Sequence, residues 1–502
     1  MTQVEKLTRL KMILNEVSDL AHVRNLLSWD QQTYMPPGGA DSRGNQLATI
    51  TRLQHVKFTD PEVGELLEAL KPYADSIDPD SDDARLIEVT ARRYKKRTRV
   101  PAELVAEFAQ VTSDAHLIWE NARAQSDFNS FQPSLQKIVE LRRRYADLFA
   151  PYDHIYDPLL DDFEPGLKTA EVQAIFSELR PKQVAIIQAI SERPQVDDSF
   201  LHQPYDEARQ WAFGVEVITR YGYDWDRGRQ DRATHPFTIN FGLGDVRITT
   251  RFLPDFFPSA LFSTTHECGH ALYHQGIDPA IRRTPLEGGA SLAVHESQSR
   301  FYENFLARSR DFWLYFYPRL QDVFPDQLGN IDLETFYRGI NKVEPSPIRV
   351  EADEATYNLH IMLRLELEIA LLEGSLEVTD LPEAWNSRMR EYLGITPPND
   401  ALGVLQDIHW SGGSIGYFPT YALGNLIAAQ LWECINEDIS GLHEQIRNGE
   451  FGAITGWMRE KIHRHGAKFE PQTLVERVTG KKIDPEPYLR YLQKKFGEIY
   501  GI

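Results

Sequence analysis

The stretch QPSLQKIVELRRRYADL (132–148) places Leu135, Ile138, Val139 and Tyr145 at helical spacing, with Lys137, Glu140 and Arg144 on the opposite face. Residues 102–124, 169–192 and 355–373 carry the same period, and MTQVEKLTRLKMILNEVSDLAHV at the start is a further amphipathic helix. Pro and Gly gather between such segments, as in YMPPGGADSR (34–43) and DDFEPGLKTAE (161–171). Length alone would suggest about three domains. There is no low-complexity linker, no sustained heptad and no internal repeat, so residues 1–502 are expected to form one large, mainly α unit. One stretch departs from the helical period. HPFTINFGLGDVRITTRF (235–252) alternates Phe237, Ile239 and Phe241, then Val246 and Ile248, around the turn GLGD, which predicts a small β-hairpin.

Composition excludes several classes of function. With 42% hydrophobic and 25% charged residues, the chain has the mix of a soluble globular enzyme. No apolar run reaches the roughly 20 residues of a membrane span, and the first helix lacks the apolar stretch of a signal peptide. Two cysteines, Cys268 and Cys434, fit a reducing compartment rather than a disulfide framework. A formal net charge of −20 repels a phosphate backbone, so nucleic acid is excluded as the main partner.

The chemistry is concentrated in LFSTTHECGHALYHQG (261–276), which contains H-E-x-x-H. On a helix, His266 and His270 share one face and can reach one metal ion at about 2.0–2.1 Å. Glu267 projects from the adjoining flank, where it can act as a base without being a ligand. With 15 histidines in the chain, chance would give only roughly 0.03–0.04 such matches. A catalytic site needs a third protein ligand. His274 continues the same helical stripe, and three ligands evenly spaced on a straight helix converge poorly on one ion. Glu287 lies in the Gly-rich PLEGGAS, whereas Glu296 lies in SLAVHESQSRFYENFLARS (291–309), which reads as the next helix. A carboxylate from a second packed helix closes the site best, so Glu296 is the expected ligand; its alternative role is an ion pair with Arg300 at i+4. Cys268, two residues from His266, is read as a small buried core residue.

These motifs, taken with others along the chain, resemble the carboxypeptidase Taq family of metallocarboxypeptidases. HESQSR (295–300) is similar to its third-ligand segment, and HPF (235–237), DVRIT (245–249) and IRVEAD (348–353) to its signatures. LSWDQQTYMPPGGA (27–40), LQDIHWSGGSIGYFPTYALGN (405–425) and AAQ (428–430) extend the likeness over nearly the whole chain. The resemblance implies an all-helical fold apart from a small sheet, with two lobes around a long cleft and commonly a homodimer. It also implies a cytoplasmic enzyme that uses zinc or cobalt to remove C-terminal residues one at a time with broad tolerance.

Such an enzyme must hold a free C-terminal carboxylate, which a guanidinium fork suits. Arg349 of IRVEAD is the first candidate and Arg247 of DVRIT the second; a pair with Asp245 would give Arg247 a structural role instead. Asp353 is read as a structural partner near the start of the following helix, and Trp29 and Asp30 likewise as structural. His235, Tyr417 and Tyr421 are candidates to assist the metal at the developing oxyanion. In the expected reaction Glu267 takes a proton from activated water, hydroxide attacks the C-terminal peptide carbonyl, and Glu267 protonates the leaving amine. Two alternatives stand beside this reading: an endo-acting metallo-oligopeptidase of similar helical architecture, and a non-catalytic scaffold. The second has no need of the base Glu267.

Overall fold

The structure, a computed structural model, describes residues 1–502. Helices dominate it, and those expected from apolar spacing are present as Gln3–Thr33, Ala102–Gln125, Phe128–Asp147, Thr169–Ser191 and Tyr357–Glu373. Their ends follow local chemistry. Thr2 and Glu5 form a reciprocal capping box at the first helix, and Gly374, at φ +80°, closes the helix that starts at Tyr357. The YMPPGGADSR break is a short 3-10 turn at Pro37–Gly39 followed by a new helix, Ala40–Phe58.

The expected hairpin is real. β2 (Thr238–Asn240) pairs antiparallel with β3 (Val246–Thr250), Thr238 opposite Ile248, across a turn in which Gly242 takes φ +118°. A third strand, β1 (Gly228–Arg232), adds to β3 in parallel and gives the order β1-β3-β2. Val246 and Ile248 point into the core, as the alternation required.

Apolar side chains segregate into two clusters. The larger holds 101 buried residues from residue 115 onward, and the smaller 14, mostly from the first four helices, so the N-terminal quarter has a core of its own. Ile277, Ile281 and Leu286 belong to the small cluster and tie it to the end of the H-E-x-x-H helix.

That motif helix, Phe257–Gly276, is buried on most of its circumference. It packs on the helix Leu292–Arg300, here called the glutamate helix, which Ser291 caps. A Cβ on Gly269, inside HECGH, would stand 2.5 Å from the carbonyl oxygen of Gln298. A Cβ on Gly424, in the helix Pro419–Asp438, would stand 2.7 Å from Cγ of Glu296. The glutamate helix is thus gripped between two helices that each approach it through a glycine. Beyond Arg300 the chain continues as a π-helical segment, Phe301–Ala307.

Candidate metal centre

His266 and His270 stand one turn apart on the motif helix, and Glu296 faces them from the glutamate helix. Nε2 of His266 lies 3.7 Å, and Nε2 of His270 3.5 Å, from Oε2 of Glu296. One ligand atom from each of the three falls within 4.8 Å of the other two. Ligands about 2.0–2.1 Å from a tetrahedral ion lie roughly 3.3–3.4 Å apart, so this set fits a divalent metal with little adjustment.

The surrounding groups fix which ring nitrogens face inward. Nδ1 of His266 bonds Oε2 of Glu303 at 2.8 Å, and Nδ1 of His270 bonds the carbonyl of His295 at 3.0 Å. Both Nε2 lone pairs are thereby left for the ion, the usual arrangement around metal-bound imidazoles. Oε1 of Glu296 accepts from Nε of Arg300 at 2.7 Å while Oε2 looks to the histidines. The i+4 ion pair foreseen as an alternative therefore coexists with a ligand geometry. Burial opposes ionisation of Glu296, but Arg300, then His266 and His270, hold its pKa well below the ordinary range. Glu303 is similarly held to about 2 against its burial, by Arg300, His266 and Arg308. Burial lowers the pKa of His266, and Glu296 and Glu303 more than reverse that. The triad thus sits in a nest of compensated charges.

Glu267 is buried beside it. The Thr238 hydroxyl of β2 lies 2.7 Å from Oε2 of Glu267 and 2.8 Å from its carbonyl oxygen, so the sheet fixes the candidate base against the motif helix.

The rival ligands are engaged elsewhere. Nε2 of His274 bonds Nε2 of His295 at 2.9 Å, and its Nδ1 meets Asn240 of β2 at 3.3 Å. Burial, then His270 and His22, press its pKa to about 4. Glu287 lies near His22, at 3.7 Å, and accepts from the backbone of Arg283. Cys268 is fully buried behind the motif.

Arg349, Tyr417 and Tyr421 come together. Arg349 is buried, and its Nε and Nη2 bond Oδ1 of Asp407 at 3.0 and 2.8 Å. Its Nη1 meets the Tyr357 hydroxyl at 3.1 Å, and its guanidinium lies 5.1 Å from the ring centre of Tyr421. Arg364 takes the other oxygen of Asp407 at 2.7 Å, so two guanidiniums share one carboxylate and the pocket keeps a net positive charge. Arg300 stacks 4.4 Å over Tyr357, which links this pocket to Glu296. Tyr417 packs edge-on to Tyr421 and Phe163, and Glu296 is among the charges that raise its pKa after burial. His409, to which sequence reasoning gave no role, lies 3.3 Å from the Tyr421 hydroxyl. Glu303, Thr238 and His295 were also missed.

Two candidates lie apart from this group. Arg247 makes a bidentate pair with Asp245, at 2.8 Å for each bond, and stacks between Trp29 and Phe241. Its fork is filled, as the structural alternative for it required. His235 is exposed in the bend before β2 and its ring makes no hydrogen bond. Asp353 accepts from the backbone of Ala355 and Thr356 at 2.9 and 3.0 Å, just before the helix Tyr357–Glu373. Trp29 is buried against Phe241, and Asp30 pairs with Arg43 at 2.7 Å.

A family profile described as Carboxypeptidase Taq (M32) metallopeptidase matches residues 9–496. This chain belongs to that family. Among curated relatives, "Thermostable carboxypeptidase 1" of Thermus thermophilus is 44% identical over 498 residues, covering 97% of each chain. "Carboxypeptidase 1" of Bacillus subtilis is 37% identical over 490 residues, again 97% of each. A crystal structure of an M32 carboxypeptidase from Deinococcus radiodurans R1 superposes with a TM-score of 0.96 at 39% identity, over 99% of this chain and 100% of that one. The M32 chain described here is therefore a metal-dependent carboxypeptidase, and its His266–His270–Glu296 cluster is its candidate metal centre. No helix in it is long and apolar enough to cross a membrane.

Proposed function

We propose that this carboxypeptidase releases single residues from free peptide C-termini with broad side-chain tolerance, with Glu267 as general base and His266, His270 and Glu296 as metal ligands. The observation that carries the reading is the convergence of two Nε2 atoms on one Glu296 oxygen, with a buried, hydroxyl-anchored Glu267 beside them. Two imidazoles and a carboxylate suit zinc, with cobalt as the alternative; a divalent ion there supplies Lewis acidity and lowers the pKa of water. Glu267 takes the proton of the attacking water and delivers it to the leaving amine. Thr238 holds the carboxylate on the correct side of the motif helix for both transfers. In this reading Tyr417 and Tyr421, the latter backed by His409, donate to the developing oxyanion, and His235 is a further candidate.

Arg349 anchors the substrate carboxylate. Asp407 fixes two of its N–H groups, and Nη1, beside Tyr357 and Tyr421, carries the surplus positive charge that a terminal carboxylate would neutralise. Arg247 is the reserve anchor. From its family likeness the enzyme acts as a cytoplasmic homodimer and as one peptidase unit whose two lobes flank the cleft. The unpaired Cys268 and Cys434 suit that compartment.

The test compares peptides ending in a free carboxylate with their C-terminal amides, with and without chelator, by mass spectrometry. Single free amino acids, loss of activity on chelation and a strong preference for the free acid are expected. Arg349→Ala should keep metal and lose about one to two decades of kcat/KM, together with that preference. Internal fragments, or equal cleavage of the amides, would overturn the reading in favour of an endo-acting oligopeptidase.

A further inference from the structure

The helix Asp82–Arg99 carries a run of cations that the reaction does not use. Leu86 and Ile87 face the small core. Arg85 stacks on Phe469, Arg92 pairs with Asp161 and Glu470, and Lys96 bonds Asp161 and Asp162 at 2.8 and 2.5 Å. At 100° per residue, Arg93 and Arg97 fall within about 20° of Leu86, two to three turns further along the side turned toward the first helix. That helix joins the same edge through Lys11, which bonds Asp83 at 2.6 Å. Arg24 is 13 positions past Lys11 and Arg97 is 14 past Asp83, and the two guanidiniums are near enough that, after burial, Arg97 lowers the pKa of Arg24.

The neighbours of this edge connect to the metal-site helices. On one flank, Asn25 of the first helix bonds the carbonyl of Asn240 in β2 at 3.1 Å, beside the strand that holds Glu267. On the other, the loop with Asp161 and Asp162 continues to Phe163 and Glu164, which bond the backbone of Leu292 and Ala293 at the start of the glutamate helix. Arg93 and Arg97 therefore project between two elements that each touch the metal-site helices.

None of the three guanidiniums has a carboxylate partner. Arg24 reaches only the amide oxygens of Gln54 and Asn25, at 3.3 and 3.4 Å, and Arg93 and Arg97 make no hydrogen bond. Arg93 reaches solvent, and crowding by the surrounding protein, then Arg97 and Arg92, lower its pKa to about 10. In a chain of net charge −20, three neighbouring cations without a carboxylate partner suit an anion.

We propose that Arg93 and Arg97, with Arg24 beside them, form a subsite for a carboxylate side chain of the peptide upstream of the scissile bond, so that Asp or Glu there marks preferred substrates. The terminal carboxylate is left to Arg349, which lies with Tyr357 and Tyr421 beyond Glu296. A second carboxylate on the same peptide is then taken by these guanidiniums, whose planar forks can bind it bidentately. This inference rests on the carboxypeptidase reading above.

The test uses metal-loaded full-length protein and peptide pairs that differ only by Glu or Gln, two to four residues before the released one. At low salt the wild type should favour Glu about three- to tenfold in kcat/KM, the range of one partly exposed charged contact. In Arg93→Gln/Arg97→Gln the ratio should fall to about one, and Arg93→Lys/Arg97→Lys should restore it in part. A wild-type ratio of one, or an unchanged ratio in the Gln variant, overturns the proposal. So does a Gln variant that instead loses its preference for free acids over amides, since the patch would then hold the terminal carboxylate. Fluorescence anisotropy of the same peptides on Glu267→Gln protein needs no turnover. Tighter binding of the Glu peptide there supports the subsite even if no residue is released, in which case the carboxypeptidase reading alone fails; release without a Glu preference removes the subsite alone.

Discussion

Each residue at the metal centre has a role defined by its second contact as much as by its first. His266 presents Nε2 inward because Glu303 takes its Nδ1, and His270 does so because a backbone carbonyl takes its own. Metal content of purified variants should follow this order. Glu296→Ala loses the metal, while Glu287→Ala and His274→Ala keep most of it, because neither side chain points at the triad. Glu267→Gln keeps the metal and loses turnover. Glu303→Gln weakens binding by about 10- to 100-fold, the usual cost of losing an outer partner. Loss of metal from His274→Ala but not Glu296→Ala would make His274 the third ligand. The His266–His270–Glu296 cluster was legible because H-E-x-x-H sets two of its members one helical turn apart and the third stands on the next helix. Glu303, Thr238, His295 and His409 were not. Their roles depend on contacts made by folding, and nothing in the local spacing of Thr238 shows that it will meet Glu267, 29 residues later.

Between elements, close approach decides whether the two ligand helices meet at ligand distance. Gly269→Ala would drive a Cβ into the backbone of Gln298, which cannot swing aside as a side chain can. The variant should lose about 1–3 kcal/mol of stability, and its metal should dissociate faster because Glu296 is pushed from the histidines. Unchanged stability and metal retention, by calorimetry and chelator competition, would show that the helices slide without cost.

The glutamate helix has a second dependency. Glu164 is fully buried and accepts from the backbone N–H of Ala293 at 2.6 Å, while its other oxygen has no partner. Burial, only partly offset by Ser291 and Ala293, raises its pKa to about 8. The folded state thus keeps a proton that the unfolded chain gives up near pH 4.5. Stability from this group is present at low pH and falls as pH rises toward 8. Glu164→Gln, which resembles the protonated acid, should therefore gain in Tm relative to wild type between pH 5 and 8. A pH-independent difference would mean that the carboxylate is ionised in place. At this scale the sequence was most informative where period was strong. The long helices and the β2–β3 hairpin follow from apolar spacing. β1 does not, because GRQDR buries Gln230 and Asp231 rather than alternating apolar residues, and their hydrogen bonds to Thr250 and Tyr34 come from elsewhere in the chain. The π-helical segment after Arg300 is equally silent in sequence, since a slipped hydrogen-bond register leaves no compositional mark.

For the whole molecule, the two apolar clusters imply unequal cohesion. The first four helices share their small core with the rest of the chain at Ile277, Ile281 and Leu286, with Leu243 against it and Trp29 packed separately on Phe241. Much of the remaining seam is ionic: Arg283 with Asp19, Lys468 with Asp82 at 2.6 Å, Arg477 with Asp80 at 2.7 Å, and Arg92 and Lys96 with the 161–162 loop. Exposed pairs of this kind contribute about 0–1 kcal/mol each and weaken as the screening length falls from roughly 14 Å at 0.05 M salt to about 4 Å at 0.5 M. Apolar contacts do not weaken in this way. Raising salt should therefore speed hydrogen exchange in residues 3–99 while leaving the motif helix Phe257–Gly276 protected. The increase should be largest along Asp82–Arg99, which holds most of the seam, and Lys96→Ala should reproduce part of it at low salt. Asn25 of this lobe bonds β2, the strand whose Thr238 meets Glu267, so if its opening governs access to the proposed base, KM should rise with salt before kcat changes. If exchange in residues 3–99 does not respond to salt, the apolar contacts hold the lobe. Ile281→Ala should then release it where Lys96→Ala does not.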